Sequence, residues 1–347
     1  VGQGVLWAQA SDELVRLAEL LDSPVATTNS GKSAFPENHE LALGAAGNTV
    51  TKMARHFVDT ADVIFGVGVS FTTNLASMGI PQEKTLIQTT VDANDLNKEH
   101  HLADAIIGDC KLVLRQLIEE IDAQTSGAGV EHADIRAEVA SVRNEWLEEW
   151  MPLLTSDETP INPYRIIWDL MHTVDRDKTV VTHDSGHPRD QLIPFWESTV
   201  PRGYLGWGNS TQLGYSLGLV LGAKLAAPEK TFINFMGDAA IGMAGMDIET
   251  GVRLNIPVMT IVLNNQVLSG YPARYEAAVE KYGFTELYGD YAAIATALGA
   301  YGERISDTAE IVPAINRGLA EMDKGRPVLL EFMTSEENRL SRYPAAG

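Results

Sequence analysis

The segment Thr231-Phe232-Ile233-Asn234-Phe235-Met236-Gly237-Asp238-Ala239-Ala240 decides the fold class. Its first half is typical of a buried strand, and Gly237 permits a tight turn into the small residues that follow. A second strand-like run, Ile256 to Leu263, ends at Asn264-Asn265. Polar residues directly after buried strands are typical of open α/β sheets, in which ligands bind beyond the carboxyl ends of the strands.

Asp238 and Asn265 are the candidate metal ligands at these two strand ends. If the two strands are neighbours, both side chains lie at the same edge of the sheet. A carboxylate, an amide oxygen and a nearby backbone carbonyl make the hard oxygen set that Mg²⁺ prefers when it bridges a diphosphate. Small Ala239 and Ala240 let the backbone approach a phosphate and donate N–H groups to it. Each half of the pattern is common by itself, so the prediction depends on both occurring together.

Strand-like and helix-like runs alternate along the rest of the chain, which predicts α/β layering with parallel sheets. We predict two successive doubly wound domains. Residues 1–125 form a central Rossmann-like domain, residues 126–158 a linker and a helix, and residues 159–347 a C-terminal domain that binds diphosphate and magnesium. The boundary follows a small, polar run from Gln124 to Gly129, which is typical of a domain junction.

Composition excludes some classes of function. The 347 residues carry a formal net charge of −21 at pH 7, which argues against nucleic acid as a partner. No apolar run approaches the roughly 20 residues that cross a bilayer, and no signal-peptide pattern is present, so we expect no membrane partner. Cys110 is the only cysteine and is better explained by packing than by catalysis. A reducing, cytoplasmic location is the expectation.

The run from Gly237 to Asn265 resembles the thiamine-diphosphate motif, with Asp247 where the motif usually has glutamate. The whole chain resembles the middle and C-terminal domains of the acetolactate synthase-like and 2-hydroxyacyl-CoA lyase group of thiamine-diphosphate enzymes. The likeness rests on Pro24 to Thr28, Gly31 to Pro36, His39 to Leu41, Leu43-Gly44, Ala61 to Ile64, Gly66 to Gly68, Asp184 to Gly186 and Leu213 to Leu217.

This resemblance implies thiamine diphosphate and Mg²⁺ as cofactors and assigns a role to particular residues. Asp238, Asn265 and the carbonyl of Val267 would bind the metal. Leu213 would support the bent cofactor, although periodicity alone favours simple helix packing for it. The Thr211 carbonyl would accept a hydrogen bond from the cofactor's 4′-amino group. The residues that would line the diphosphate are Gly186, His187, Gly237, Ala239 and Ala240.

The resemblance also implies a reaction class: cleavage or formation of a C–C bond next to a carbonyl of a 2-oxo acid or an acyl-CoA. It implies a homodimer or homotetramer with active sites at the subunit interface. The family's catalytic glutamate lies on an N-terminal pyrimidine-binding domain that does not match any part of this sequence. We therefore expect a fragment, or one chain of a split enzyme, that is inactive alone.

Two alternatives stay open. A catalytically silent paralogue could keep the fold for assembly, although the intact pair of Asp238 and Asn265 counts against it. A nucleotide-binding α/β protein without thiamin would carry Gly-x-Gly-x-x-Gly after its first strand. The run Gly2-Gln3-Gly4-Val5-Leu6-Trp7 starts that pattern but lacks its last glycine.

The nucleotide of the central domain is also open. Acetolactate synthases hold FAD with an Arg-Phe-Asp-Asp run, and this chain has Val69 to Thr73 in its place. The difference counts against FAD and leaves an ADP-like nucleotide or an empty site as alternatives. Asp92 and Asp109 could meet ribose hydroxyls or could cap helices. The segment from Gln266 to Tyr275 lacks the tryptophan that acetolactate synthases have near the substrate. Its absence, together with ADP in the central domain, would suit the acyl-CoA branch of the family.

Two further segments are candidates for substrate contact. In the acyl-CoA branch a C-terminal tail covers CoA, and Glu336 to Gly347 would begin such a tail. His183 and His187 flank Asp184 in a loop after a strand, where they could face the cofactor. A structural role is the commoner one for single histidines.

Overall fold

A computed structural model describes residues 1–74, 77–206 and 212–344. The chain divides into two compact units. The first unit comprises Val1–Trp150, Glu197–Ser210 and Ser341–Gly347, and the second comprises Met151–Trp196 and Thr211–Leu340. Both contain parallel sheets with helices between the strands, so the predicted α/β fold class is confirmed.

The secondary-structure elements are numbered in chain order. The helices are α1 Gly4–Trp7, α2 Ser11–Leu21, α3 Lys52–Thr60, α4 Cys110–Thr125, α5 Ile135–Leu154, α6 Pro163–Thr173, α7 His187–Phe195, α8 Tyr215–Ala226, α9 Asp238–Ala244, α10 Ile248–Arg253, α11 Glu276–Tyr282, α12 Tyr291–Ala297 and α13 Ile311–Met322. The strands are β1 Val25–Thr27, β2 Ala42–Ala45, β3 Val63–Val67, β4 Thr85–Thr90, β5 Asp104–Ile107, β6 Thr179–His183, β7 Tyr204–Leu205, β8 Thr231–Gly237, β9 Met259–Asn264, β10 Tyr301–Ile305 and β11 Val328–Met333. Short 3₁₀ turns cover Ala93–Asp95, Gly245–Asp247 and Thr308–Glu310.

In the first unit the strands form two separate parallel groups, β1 with β2 and β3-β4-β5. Helices α2 and α4 pack together over an apolar core. Buried side chains of α2 meet others from the loop and strands that follow it. The core includes Val5, Leu14, Leu17, Phe35, Leu41, Val67 and Leu114. Burial of this apolar surface is the main force that stabilises the unit.

In the second unit, strands pair in parallel in the order β10-β11-β9-β8-β6. All residues of β6 and β9 are buried, as expected for strands covered on both faces. The last strand of the chain, β11, lies between β10 and β9, so strand order does not follow chain order. The register pairs Gly237 with Leu263 and His183 with Phe235. Among the described residues, no helix combines the length and apolar character needed to cross a membrane.

Contacts define the units more finely than local composition can. The predicted bounds at residues 125 and 158 stay predictions, and in the structure residues 126–150 group with the first unit. Trp146 Nε1 donates to Ser341 Oγ over 3.3 Å, and Trp150 Nε1 donates to the hydroxyl of Tyr343 over 3.2 Å. The chain's last described residues therefore return to α5, the helix that was expected to be part of a linker.

Candidate active site

Asp238 lies at the carboxyl end of β8, at the first position of α9, and only 4% of it is exposed. Its Oδ1 accepts the N–H of Ala239 over 2.8 Å, and its Oδ2 accepts the N–H of Gln266, also over 2.8 Å. Burial raises the pKa of this carboxyl to about 6, and the backbone N–H donors offset part of that rise. The ionised form is therefore stabilised by nearby dipoles but has no full positive charge beside it among these partners.

The loop after β9 folds around this carboxylate. Strands β8 and β9 are neighbours, as the convergence of Asp238 and Asn265 required. Gln266 has a φ of +60°, which bends the backbone so that its N–H meets Asp238. Asn265 Oδ1 accepts the N–H of Val267 over 3.1 Å, and Asn265 Nδ2 donates to Ser269 Oγ over 2.7 Å. The structure thus brings together the loop and the carboxylate that the sequence singled out.

A buried carboxylate at the end of β6 fixes a second loop. Asp184 is fully buried and accepts hydrogen bonds from the N–H of Ser185, the N–H of Gly214, and both the N–H and hydroxyl of Ser216. Four of these distances are 2.7–3.1 Å to Oδ1 or Oδ2 from the start of α8. Asp184 therefore ties the beginning of α8, and Leu213 just before it, to the edge of the sheet.

Leu213 is 38% exposed, so its side chain is not simply part of the helix core. Gly214, the next residue, has a φ of +88° and lies against α9: an added Cβ would come within 3.0 Å of the Cβ of Ala244. Leu213 is thus held beside the helix that begins at Asp238. Thr211, predicted to accept the 4′-amino hydrogen bond, lies outside the described residues.

Gly186 and His187 lie where α7 begins, after β6. Gly186 has φ +85° and ψ −150°, a conformation that side chains strongly disfavour. His187 is half-buried. Pro188, the next residue, lies 3.6 Å from the position of an added Cβ on Gly237, so the start of α7 contacts the end of β8.

Three adjacent strands, β9, β8 and β6, therefore end at one edge and carry the predicted residues. Ala239 is half-buried and Ala240 buried in the first turn of α9, next to Asp238. Ala239 already donates its N–H to Asp238, so it is not freely available to another acceptor in this arrangement. The arrangement places an acidic group, an amide and a helix start at one edge of the sheet, which suits an anion held through a cation.

Glu331 on β11 is a residue of this region that pattern reading missed. It is fully buried and accepts hydrogen bonds from Asn264 Nδ2 over 2.7 Å and from the N–H of Ala292 over 2.9 Å. Arg304 donates twice to the same carboxylate, over 2.9 and 3.1 Å. Asn264 Oδ1 in turn accepts the N–H of Gln266 over 3.1 Å, so Glu331 orients the loop that surrounds Asp238. Only the charge at the centre of an apolar strand could have indicated it.

His183 lies inside the second unit and not at an open edge. It is fully buried, and burial lowers its pKa to about 4, so its ring is neutral at pH 7. Nδ1 lies 3.0 Å from the carbonyl oxygen of Asp184. This geometry is that of a packed histidine on the strand that carries Asp184.

Asp92 and Asp109 lie in the first unit, at the carboxyl ends of β4 and β5. Asp92 Oδ1 accepts the N–H of Asn94 over 2.9 Å, and Asp109 Oδ1 accepts the N–H of Lys111 over 3.0 Å, so both cap the helical turns that follow. Both line a cavity of about 760 Å³. Its described lining contains three aspartates and no Lys or Arg, so a nucleotide diphosphate there would have to be held by backbone N–H groups. ADP or FAD in the first unit stays a prediction.

The C-terminal tail is held by specific hydrogen bonds. Within the second unit, Tyr164 donates its hydroxyl to the carbonyl of Arg339 over 2.6 Å, and Gln191 Nε2 donates to the carbonyl of Glu337 over 3.1 Å. Within the first, Ser341 Oγ donates to the carbonyl of Val50 over 2.7 Å. These bonds give residues 337–343 a packing role; the expected cover for CoA stays a prediction.

Comparison with known protein families identifies the family of this chain. The model of the thiamine pyrophosphate enzyme central domain matches residues 1–117, and that of the thiamine pyrophosphate enzyme C-terminal TPP binding domain matches residues 184–332. The chain belongs to the thiamine pyrophosphate enzymes. The second match contains the three strand ends described above, and the resemblance inferred from the sequence is confirmed.

Individual relatives of this thiamine pyrophosphate enzyme are similar along nearly all of its length. It is 28% identical to a probable acetolactate synthase large subunit of Methanococcus aeolicus, over 99% of this chain and 59% of that protein. It is 27% identical to the isozyme 3 large subunit of acetolactate synthase from Escherichia coli, over 95% and 58%. It is also 27% identical to sulfoacetaldehyde acetyltransferase of Alcaligenes xylosoxydans xylosoxydans, over 97% and 60%. The chain spans about three fifths of the length of these relatives.

Proposed function

We propose that the second unit binds thiamine diphosphate through Mg²⁺, with Asp238, the Asn265 side-chain oxygen and the Val267 carbonyl as protein ligands. The observation that carries this proposal is the buried Asp238 carboxylate, around which the loop from Asn264 to Val267 is folded. A buried carboxylate that accepts hydrogen bonds from neutral backbone N–H groups gains most from an added cation.

The ligand chemistry of the described residues supports magnesium over a transition metal. Among them, no group of three or more His, Cys, Asp or Glu side chains could hold a metal ion. A metal at Asp238 would therefore depend on carboxylate, amide and carbonyl oxygens, with further positions left for diphosphate oxygens and water. Hard cations with octahedral preference suit that set, whereas zinc and copper prefer nitrogen and sulfur.

We propose that the remaining predicted residues position the organic part of the cofactor. The start of α7, at Gly186 and His187, and the N–H of Ala240 in the first turn of α9 would contact the diphosphate. Ala239 would line it, because its small side chain leaves room for the phosphate. Leu213 would contact the rings from the loop that Asp184 fixes. Thr211 would accept the amino hydrogen bond.

We propose a 2-oxo acid as substrate and C–C bond cleavage or formation next to its carbonyl as the reaction. The bound cofactor supplies a carbon nucleophile and an electron sink for such bonds. The protein's part is to hold the diphosphate, exclude water and keep the rings oriented. The named activities of the similar proteins, acetolactate synthase and sulfoacetaldehyde acetyltransferase, support this reaction class.

We also propose a cytoplasmic homodimer or homotetramer with the site at a subunit interface. The segment that follows the proposed metal loop supports this, because it exposes many aromatic side chains, and exposed apolar patches often mark interfaces. These residues are 41–79% exposed: Tyr271, Tyr275, Tyr282, Phe284 and Tyr288.

The test is magnesium-dependent binding of thiamine diphosphate, measured by titration calorimetry with and without a chelator. Asp238→Ala should weaken binding by about 100-fold or more, the scale of losing one charged partner of a bound ion. Asp323→Asn is the matched control, because Asp323 is an exposed carboxylate after α13, outside the proposed site, and this variant should bind as the parent does. Equal binding by the parent and Asp238→Ala would sink the proposal.

The substrate class needs its own measurement. Pyruvate, oxalyl-CoA and a 2-hydroxyacyl-CoA are titrated into the cofactor-loaded protein, and we expect saturable heat from pyruvate. Binding of an acyl-CoA in preference to pyruvate would leave the cofactor site intact and replace the proposed substrate.

A further inference from the structure

Helix α7 carries three consecutive polar residues although it is buried. Every residue from Pro188 to Phe195 is buried, and the polar ones are Arg189, Asp190 and Gln191. Buried polar groups are normally hydrogen-bonded, so each of these side chains requires a partner. Gln191 Nε2 donates to the carbonyl of Glu337 over 3.1 Å. Asp190 Oδ1 accepts the Nε of Arg189 over 2.7 Å, and the other end of the arginine side chain then needs an acceptor of its own.

The guanidinium of Arg189 has a buried donor that lacks such an acceptor. Arg189 is 8% exposed, and its Nη1 has no hydrogen-bond partner among the described residues. A buried donor that is part of a charged group costs more when it is unpaired than a neutral one does. Arg189 also lies in the first turn of α7, where the helix dipole disfavours a positive charge. An anion bound at this place would remove both costs.

The side chain of Arg189 leans toward the turn between β6 and α7. Side chains of an α-helix point back toward its N-terminus and cover the turn three to four residues earlier. For Arg189 that turn is Ser185-Gly186. Burial, and after it the charge of Arg189, lowers the pKa of His183, which agrees with a guanidinium close to the end of β6.

Open space adjoins this turn. Gly186 has a φ of +85°, and a Cβ added to it would meet no atom of the described residues within 4 Å. Pro188, the second residue of α7, has no N–H, so this helix start offers an anion one backbone donor fewer than usual. Pro188 also contacts the end of β8 at Gly237. The unpaired donor of Arg189 therefore belongs to an open turn next to the proposed cofactor site.

We propose that Arg189 Nη1 binds the carboxylate of the 2-oxo acid substrate at the turn Ser185-Gly186. This inference rests on the proposed function, because the substrate reacts on the bound cofactor. A guanidinium matches a planar carboxylate in geometry as well as in charge. The cofactor's diphosphate carries more negative charge, so the carboxylate of Asp190 beside the guanidinium repels it more strongly. Arg189 would therefore select 2-oxo acids over uncharged aldehydes and ketones.

The test compares an anion with its neutral counterpart. Oxamate is an unreactive analogue of pyruvate with the same carboxylate, and methyl oxamate lacks that charge. Both are titrated by calorimetry into protein loaded with thiamine diphosphate and Mg²⁺. We expect the parent to bind oxamate at least about tenfold more tightly than methyl oxamate, the scale of one hydrogen bond between charged groups.

Two variants remove Nη1 without leaving a buried charge unpaired. Arg189→Lys keeps a cation for Asp190 but loses the guanidinium. The double variant Arg189→Met with Asp190→Leu replaces the ion pair by apolar side chains, a change that buried ion pairs often tolerate. In both variants, the affinities for oxamate and methyl oxamate should differ by no more than about threefold. The affinity for thiamine diphosphate should stay close to that of the parent.

Arg165→Lys is the matched control, because Arg165 also pairs with an acid of its own helix, Asp169 on α6, over 2.8 Å. It should keep the parent's preference for oxamate, and an equal loss there would overturn the inference. An unchanged preference in both Arg189 variants, with normal cofactor binding, would overturn the inference alone. Weaker cofactor binding with an unchanged preference would assign Nη1 to the diphosphate and also overturn it. A parent that does not bind thiamine diphosphate would refute the proposed function, and this inference with it.

Discussion

Asp184 and Asp238 are two buried carboxylates at the ends of adjacent strands, β6 and β8. They differ in the number and kind of hydrogen bonds that they accept. Asp184 accepts hydrogen bonds from Ser185, Gly214 and Ser216, including a hydroxyl, and both of its oxygens are used. Asp238 accepts one backbone N–H on each oxygen, from Ala239 and Gln266, and its pKa rises to about 6.

This difference in hydrogen bonding indicates a structural role for Asp184 and a metal-binding role for Asp238. Several short hydrogen bonds to backbone and hydroxyl donors compensate a buried carboxylate, and Asp184 has them. Asp238 carries an uncompensated cost of burial that a cation would remove. Two acids with similar sequence context, each directly after an apolar strand, therefore contribute oppositely to the stability of the empty protein.

The largest effect is expected from Asp184→Asn. The amide keeps the size but turns an N–H₂ group toward donors at Gly214 or Ser216, so the start of α8 loses its acceptor. We expect the free energy of unfolding to fall by about 4 kcal/mol, since two or more buried donors lose their partner. Urea denaturation measures it. Asp323→Asn, an exposed carboxylate after α13, is the control and should stay within about 0.5 kcal/mol. A loss as small as the control's would remove the structural role of Asp184.

Asp238→Asn should have the opposite effect on stability from Asp184→Asn. Without metal, the neutral amide removes the burial cost, so the unfolding free energy should stay equal or rise by about 1 kcal/mol. Magnesium-dependent binding of thiamine diphosphate should nevertheless weaken about 100-fold, or about 2.7 kcal/mol. Calorimetry and denaturation on the same preparation separate the two effects. A protein that is destabilised as strongly as Asp184→Asn would show that Asp238 is structural as well.

Glu331→Gln tests whether the hydrogen bonds of Glu331 keep the loop around Asp238 in place. The amide leaves one of Asn264, Ala292 or Arg304 without an acceptor, and we expect a loss of about 2 kcal/mol in unfolding free energy. Cofactor binding should weaken about tenfold, because Asn264 also orients Gln266. The exposed Glu310→Gln, which pairs with Arg317 at the surface, is the control. Unchanged binding with lost stability would limit Glu331 to a structural role.

Local pattern was sufficient for the ends of β8 and β9. A buried strand followed by Gly237-Asp238, and another followed by Asn264-Asn265, predicted where polar groups leave the sheet, and the adjacency of the two strands is confirmed. The metal and cofactor roles built on that geometry stay predictions. The sequence left Asp109 open between a ribose contact and a helix cap, and the structure shows that it caps α4.

Partners that depend on strand order could not be read. Glu331 and Asn264 are 67 residues apart and meet only because β11 inserts between β10 and β9. Asp184 and Ser216 are 32 residues apart, and the segment between them, which contains α7 and β7, carries no periodic signal that specifies the contact. The return of Ser341 and Tyr343 to α5 is equally non-local, which is why a boundary placed on composition near residue 125 did not anticipate it. Side-chain pairing follows topology, and topology is a property of the whole sheet.

The smallest expected effect is on the pH dependence of stability. His183 at the end of β6 and Asp238 at the end of β8 contribute to it with opposite signs. His183 has a pKa lowered to about 4 by burial, so the unfolded chain binds its proton more readily between about pH 6.5 and 4, and stability is lost as the pH falls through that window. Asp238 has a pKa raised to about 6, so the folded chain binds its proton more readily between about 3.8 and 6, and stability is gained as the pH falls.

The two contributions nearly cancel in the parent, so the experiment uses Asp238→Asn as background. In that background, lowering the pH from 7 to 5.5 should cost about 1 kcal/mol through His183, and His183→Gln should remove that loss. Denaturation of both variants at the two pH values gives the difference directly, because every other titrating group is shared. His172→Gln, an exposed histidine on α6, is the matched control and should leave the pH dependence unchanged. If His183→Gln retains the full loss, the imidazole takes up its proton without unfolding. The folded protein would then tolerate a charged group at the end of β6 as it does at the end of β8. The proposed contrast between a structural strand end at β6 and a ligand-binding strand end at β8 would be wrong.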